Sequence, residues 1–177
     1  MALKSAPSAS DCVDILERLI AYDTTSHLSN LALIENIQAE LAQIGVEARL
    51  THNDEGTKAN LWATIGPTDR GGIVLSGHTD VVPVAGQDWS SDPFKLVERD
   101  GKLYGRGSAD MKGFVACCVA HARRMKDVDL KVPIHFAFSY DEEVGCAGVL
   151  PLIRDMKENL PTPIAAIIGE PTMMQII

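Results

Sequence analysis

The run Gly72-Ile73-Val74-Leu75-Ser76-Gly77-His78-Thr79-Asp80-Val81-Val82-Pro83 sets an imidazole and a carboxylate two residues apart at the end of an apolar strand. Its start, Gly72 to Leu75, is continuously apolar, which suits a strand covered on both faces of a parallel sheet. In open α/β sheets ligands bind in the crevice beyond the carboxyl ends of the strands, and His78 falls on that rim. A carboxylate two residues on can reach the second ring nitrogen, fix the tautomer and make the imidazole a better metal donor. Taken alone, His-x-Asp is common, and a histidine packed at a sheet rim gives the same pattern.

Downstream, acids recur at equivalent places. Asp110 lies in Tyr104-Gly105-Arg106-Gly107-Ser108-Ala109-Asp110-Met111-Lys112-Gly113, a glycine-rich loop running into a helical pattern. Asp141-Glu142-Glu143 ends the strand-like run Ile134 to Tyr140, and Glu170 follows the apolar run Ile164 to Ile168, which reads as another buried strand. A solvated face would scatter its acids, whereas a parallel sheet gathers strand-end residues at one edge. Imidazole and carboxylate together suit zinc or a similar divalent ion.

Ser76 to Pro83, Gly105 to Gly113, Ser139 to Gly145 and Gly169-Glu170-Pro171-Thr172, in this order and spacing, resemble the co-catalytic zinc aminoacylase and carboxypeptidase family of M20 type. The resemblance covers nearly the whole chain. Val84 to Phe94 and Phe138 to Cys146 are most similar to its acetylornithine deacetylase branch. The implied fold is an α/β three-layer sandwich, zinc exopeptidase-like, with a mostly parallel mixed sheet and helices on both faces. The resemblance implies that His78 and Glu170 ligate one metal, that Asp110 bridges a pair of metals, and that Glu143 ligates the other. Asp80 would orient His78, and Glu142 would be the general base that takes a proton from the attacking water and returns it to the leaving amine. A cis peptide at Asp110-Met111 is also implied. The cofactor would be a pair of zinc ions, with cobalt or manganese compatible with the same ligands.

The implied activity is metal-dependent hydrolysis of the amide bond of an N-acetylated amino acid, N-acetylornithine to ornithine and acetate in arginine biosynthesis. Succinyl-diaminopimelate desuccinylase and other aminoacylases or carboxypeptidases share the metal motifs and stay open as alternatives, as does a metal-binding chain without turnover. Enzymes of the family continue past the position of Ile177 with a lid and dimerisation domain, then the rest of the catalytic domain and a last histidine ligand. Residues 1–177 are therefore expected to be the N-terminal part of a catalytic domain, inactive alone. The full-length enzyme is expected to be a homodimer, and the shorter chain is expected to self-associate through exposed apolar surface at an uncovered strand edge.

Length and composition agree with one domain of a soluble enzyme: 177 residues, 46% hydrophobic, with a formal net charge of −8; the resemblance implies a small-molecule N-acyl amino acid as its substrate. An acidic chain has no long-range attraction for nucleic acid or anionic membrane, so neither is expected as a partner. No run approaches the roughly 18 apolar residues of a membrane span, and the amino terminus lacks a basic-then-apolar leader, so a cytoplasmic location is expected. Cys12, Cys117, Cys118 and Cys146 form no CxxC pair, which argues against a disulfide framework or a structural zinc knuckle.

Periodicity supplies the α/β order. Ser10 can cap a helix carrying Val13, Leu16, Leu19 and Ile20, and Ser29 one carrying Ile34, Ile37, Leu41 and Ile44 that ends at Gly45. Strands are expected at 46–51, 60–65 and 73–75, a hairpin at 94–104 turning at Asp100-Gly101, and a helix at 113–125. A strand ending at Tyr140, a helix at 148–157 and a strand at 164–168 follow. His121 and His135 read as packed or surface histidines, and His27 and His52 lie in polar contexts. Lys112 and Arg106 read as solvated neighbours of the glycine-rich loop, Trp62 and Trp89 as packing residues with Trp89 able to wall the cleft, and Arg123-Arg124-Met125-Lys126 as a complement to a helix dipole.

Overall fold

The computed structural model describes residues 8–173 and 175. Helices α1 (Ala9–Ile20) and α2 (Leu31–Gln43) lead into strands β1 (Ala48–His52), β2 (Ala59–Ile65) and β3 (Ile73–His78). A small hairpin, β4 (Val97–Arg99) and β5 (Lys102–Tyr104), precedes α3 (Lys112–Lys126), β6 (Ile134–Ser139), α4 (Val149–Asn159) and β7 (Ala165–Ile168). The hairpin turns at Asp100 and Gly101, both at positive φ (53° and 68°), as a two-residue turn between right-twisted strands requires.

Five strands form one sheet in the order β1-β2-β6-β3-β7. β6, β3 and β7 are parallel neighbours, β2 is antiparallel to β6, and β1 is antiparallel to β2. Only β2 therefore runs against the common direction, and the sheet is mixed but mostly co-directional, as expected. Alternation of side chains along each strand divides the interior in two. Leu61, Ala63, Phe136 and Phe138 face a core shared with Leu16, Leu19 and Ile20 of α1, Ile34, Ile37 and Leu41 of α2, and Val115 and Val119 of α3. Trp62, Val74 and Ala137 face the other way, onto Leu152 and Met156 of α4. The result is the expected α/β/α sandwich, with its second face covered by α4.

Three local expectations need correction. Helix α1 is capped by Ser8, not Ser10: Asp11 at the third helical position donates its amide to the Ser8 hydroxyl and accepts the Ser8 amide, closing a capping box two residues earlier. At α2 the cap residue is Asn30, whose side chain instead clamps Ala59 through both its N–H and its C=O; Ser29 accepts the Leu31 amide. Strand β7, read as buried, is exposed at every residue, with Ile167 and Ile168 more than half exposed. Among the described residues it lies at the sheet edge with β3 as its one strand neighbour, so a continuously apolar sequence did not imply two covered faces.

Candidate metal centre

Register aligns the strand ends. His78 is level with Ser139, and Ser76 with Ile168, so the segments after β3, β6 and β7 leave the sheet side by side. The Thr79 amide donates to the Ser139 carbonyl and the Gly169 amide to the Ser76 carbonyl, carrying the pairing just past the strands. Asp110 arrives from above on the loop before α3, which packs over β3. The Asp110–Met111 peptide is cis, and Met111 is fully buried.

The strand-end groups converge. His78 Nε2 lies 3.0 Å from Asp110 Oδ1, 3.7 Å from Glu170 Oε1 and 3.9 Å from Glu142 Oε2. One ligand atom each from His78, Asp110 and Glu170 fall within 4.8 Å of one another. Glu143 is outside that trio but shares a small cavity of about 200 Å³ with Asp110, walled by residues 105–109. The imidazole is buried, whereas Asp110 remains half exposed and open to a ligand.

Asp80 does more than its spacing suggests. Its backbone carbonyl, not its carboxylate, makes the shorter contact with His78 Nδ1, at 2.9 Å against 3.5 Å. In the neutral ring a proton on Nδ1 directed there leaves the Nε2 lone pair on the side of the acids, where a cation could take it. The Asp80 carboxylate instead accepts the Ser26 hydroxyl (2.7 Å) and the amides of Glu142 (3.0 Å) and Glu143 (3.2 Å). One side chain thus holds the histidine loop and the diglutamate loop together.

Charge is crowded here. Burial opposes protonation of His78, but Asp80 and Asp110 outweigh it and push its pKa up to about 9. Burial raises the Glu143 carboxyl, with Asp110 adding to it, and burial raises Glu170, with Asp110 and Glu142 repelling it. Among the described residues no lysine or arginine pairs with Asp110, Glu142, Glu143 or Glu170; His78 is the ionic partner of Asp110, Glu142 and Glu170. An imidazole nitrogen ringed by hard carboxylate oxygens in need of positive charge fits zinc or a related divalent cation.

Contacts not foreseen from the sequence surround this cluster. Thr24, Thr25 and Ser26 are buried, and their segment runs alongside Thr79 to Val81 through the Ser26 amide to Val81, the Val81 amide to Thr24 and the Thr24 hydroxyl to Thr79. Cys146 donates its thiol to Glu142 Oε1 at 3.5 Å. Lys112, read as solvated, is fully buried and donates to the carbonyls of Leu19 (3.0 Å) and Tyr22 (2.7 Å), closing the carboxyl end of α1; burial lowers its pKa to about 7. Arg106 stacks over Trp89, 5.1 Å from the ring centroid, and donates to Gln87. Pairings this distant in the chain leave no local periodic signal; the run of hydroxyls at 24–26 is the one hint.

The model of the peptidase family M20/M25/M40 matches residues 74–177, more than half of the chain and all of the convergent site. The chain belongs to that family. Among relatives of this M20/M25/M40 chain, the acetylornithine deacetylase of Proteus mirabilis is 41% identical over 160 residues, 89% of this chain and 40% of its own length. That of Shigella sonnei is 45% identical over 119 residues, 67% of this chain and 30% of its own. The chain thus spans less than half the length of these relatives. Among solved structures, human carnosine dipeptidase 1 superposes with a TM-score of 0.71 at 26% identity, over 90% of this chain and 38% of that one. An M20 family metallo-carboxypeptidase from Sulfolobus solfataricus gives 0.77 at 20%, over 90% and 37%, a likeness of fold. Among the described residues no helix is long and apolar enough to cross a membrane.

Proposed function

We propose that this M20/M25/M40 chain carries part of the catalytic centre of a metal-dependent amidohydrolase that cleaves an N-acylated amino acid, with N-acetylornithine the favoured substrate and arginine biosynthesis its context. The observation that carries the reading is the convergence of His78, Asp110 and Glu170 within 4.8 Å, with Glu142 Oε2 beside them. The names of the relatives at 41% and 45% identity favour acetylornithine over a succinylated substrate.

In this reading His78, Asp110 and Glu170 hold one divalent cation, and Asp110 with Glu143 contribute to a second. When bound, the cations supply Lewis acidity to the scissile carbonyl and to the attacking water. Glu142 is left as the carboxylate free to move a proton, from water to Oε2 and then to the departing amine. Asp80 fixes the tautomer of His78 through its carbonyl and holds the amides of both glutamates, so that the base and the ligand beside it keep separate directions.

The test compares N-acetylornithine with N-succinyl-diaminopimelate as substrates, for the 177-residue chain and for any longer product of the same gene. Release of acetate and ornithine by the longer product, abolished by chelator and restored by zinc, is the expected result. Preference for the succinylated substrate would move the chain to the desuccinylase reading, and zinc binding without turnover of either by any form would leave a metal-binding protein.

A further inference from the structure

Asp141 begins the diglutamate loop in the left-handed region, at φ +53°, which among residues with a side chain Asn and Asp enter most readily, helped by the hydrogen bonds of their short polar groups. The Asp141 carboxylate is held there by Lys58, more than 80 residues earlier in the chain. Lys58 Nζ lies 2.5 Å from Asp141 Oδ1, and both side chains are more than four-fifths buried. The same ammonium donates to the Ser26 carbonyl, and the backbone of Lys58 is itself pinned by its amide to Asn53 Oδ1 at 2.8 Å. From Ser26 the connection continues: its hydroxyl donates to Asp80, and Asp80 receives the amides of Glu142 and Glu143. Lys58 therefore grips both ends of a bracket, Ser26 on one side and Asp141 on the other, with the two glutamate amides held between.

We propose that Lys58 is a positioning residue for Glu142 and Glu143, acting through the conformation of Asp141 and through Ser26 and Asp80. The proposal rests on the reading that these glutamates serve a metal centre, although the mechanical part stands apart from it. Without the ammonium, the Asp141 carboxylate turns to water, the backbone at 141 leaves the left-handed region, and the amides of residues 142 and 143 lose their register on Asp80. Partners that orient metal-binding groups in this way typically change metal affinity by about 10–100-fold when removed.

Hydrogen exchange and zinc titration of the chain test this with Lys58→Met, Asp141→Ala and the double variant. Peptides spanning 141–146 are expected to exchange at least about tenfold faster in each single variant while those of β3 and α2 keep their wild-type rates. The double variant should be no faster than the worse single, because both substitutions break one link. Zinc affinity should fall about tenfold in each. Should Lys58→Met fail to fold, Asp141→Ala, which keeps the ammonium and removes its acceptor, carries the same expectation. Unchanged exchange at 141–146, acceleration spread evenly over the chain, or additive effects in the double variant would overturn the proposal. Failure of the wild-type chain to bind zinc would overturn the metal reading, and the exchange pattern would still decide Lys58.

Discussion

Gly169 joins β7 to Glu170 and lies flat against the ring of Phe114. A Cβ there would fall 2.1 Å from Phe114 Cγ and 2.4 Å from each Cδ; at Gly77, just before His78, a Cβ would meet the same ring at 3.4 Å. Carbon atoms pack at about 3.5–4.0 Å, so Gly169→Ala forces the ring and the end of β7 apart by roughly 1.4 Å or more. Overpacking of this kind costs about 1–3 kcal/mol, and in a chain of this size each kcal/mol lowers Tm by about 2–4 °C. The displacement also exceeds the tolerance of metal–ligand distances, about ±0.2 Å, and Glu170 is the next residue. Gly169→Ala is therefore expected to melt lower and to bind zinc at least about tenfold more weakly by calorimetric titration. Phe114→Ala introduced into the same variant removes the obstructing ring and should recover much of the zinc affinity, a coupling that a double-mutant cycle measures directly. Wild-type melting and zinc affinity in Gly169→Ala, or a double variant that binds no better than the single, would refute the claim that Phe114 against Gly169 sets the position of Glu170.

His78→Ala should abolish zinc binding, whereas Glu142→Gln should retain zinc and, in an active form of the protein, lose nearly all turnover; equal zinc loss in both would contradict the assignment of Glu142 as base. His135 is buried, its Nδ1 2.9 Å from the Thr64 hydroxyl, and burial holds its pKa below the ordinary 6.5. The folded state therefore binds fewer protons than the unfolded one near and below pH 6.5, so this contribution is complete above that pH and is lost as pH falls toward the folded pKa. Urea unfolding of His135→Phe should show a smaller loss of stability between pH 7.5 and 5.5 than the wild type, and an unchanged loss would remove His135 from the acid response. Leu150 and Ile153 of α4 and Ile164, Ile167 and Ile168 at β7 are all more than half exposed, so sedimentation is expected to show concentration-dependent association that Ile153→Glu with Ile168→Lys suppresses; a wild type that stays monomeric at high concentration would rule that out.

The strand-end acids were legible because a parallel sheet converts a one-dimensional pattern, an apolar run followed by His or Glu, into a shared edge. His78, Glu142 and Glu170 needed only the direction of their strands to come together. Asp110 was legible through its glycine-rich loop and the resemblance it carries. Asp80 was read as the partner of His78, yet its carboxylate is largely committed to Ser26 and the amides of Glu142 and Glu143, contacts that span 54 or more residues and leave no local spacing to find. Lys112 and Lys58 were hidden for a related reason. A buried ammonium looks like a solvated one until the carbonyls or carboxylate that receive it are in place. The exposure of β7 escaped because apolar content reports what a strand can bury, whereas burial depends on which elements lie against it.

The central claim is that His78, Asp110 and Glu170 form one cation site at the edge of the sheet. Zinc-edge anomalous diffraction from crystals of the chain equilibrated with zinc tests it most directly. The expected result is a peak about 2.0–2.2 Å from His78 Nε2 and from carboxylate oxygens of Asp110 and Glu170. Saturating zinc with no peak among these three side chains, or with the principal peak elsewhere, would contradict it.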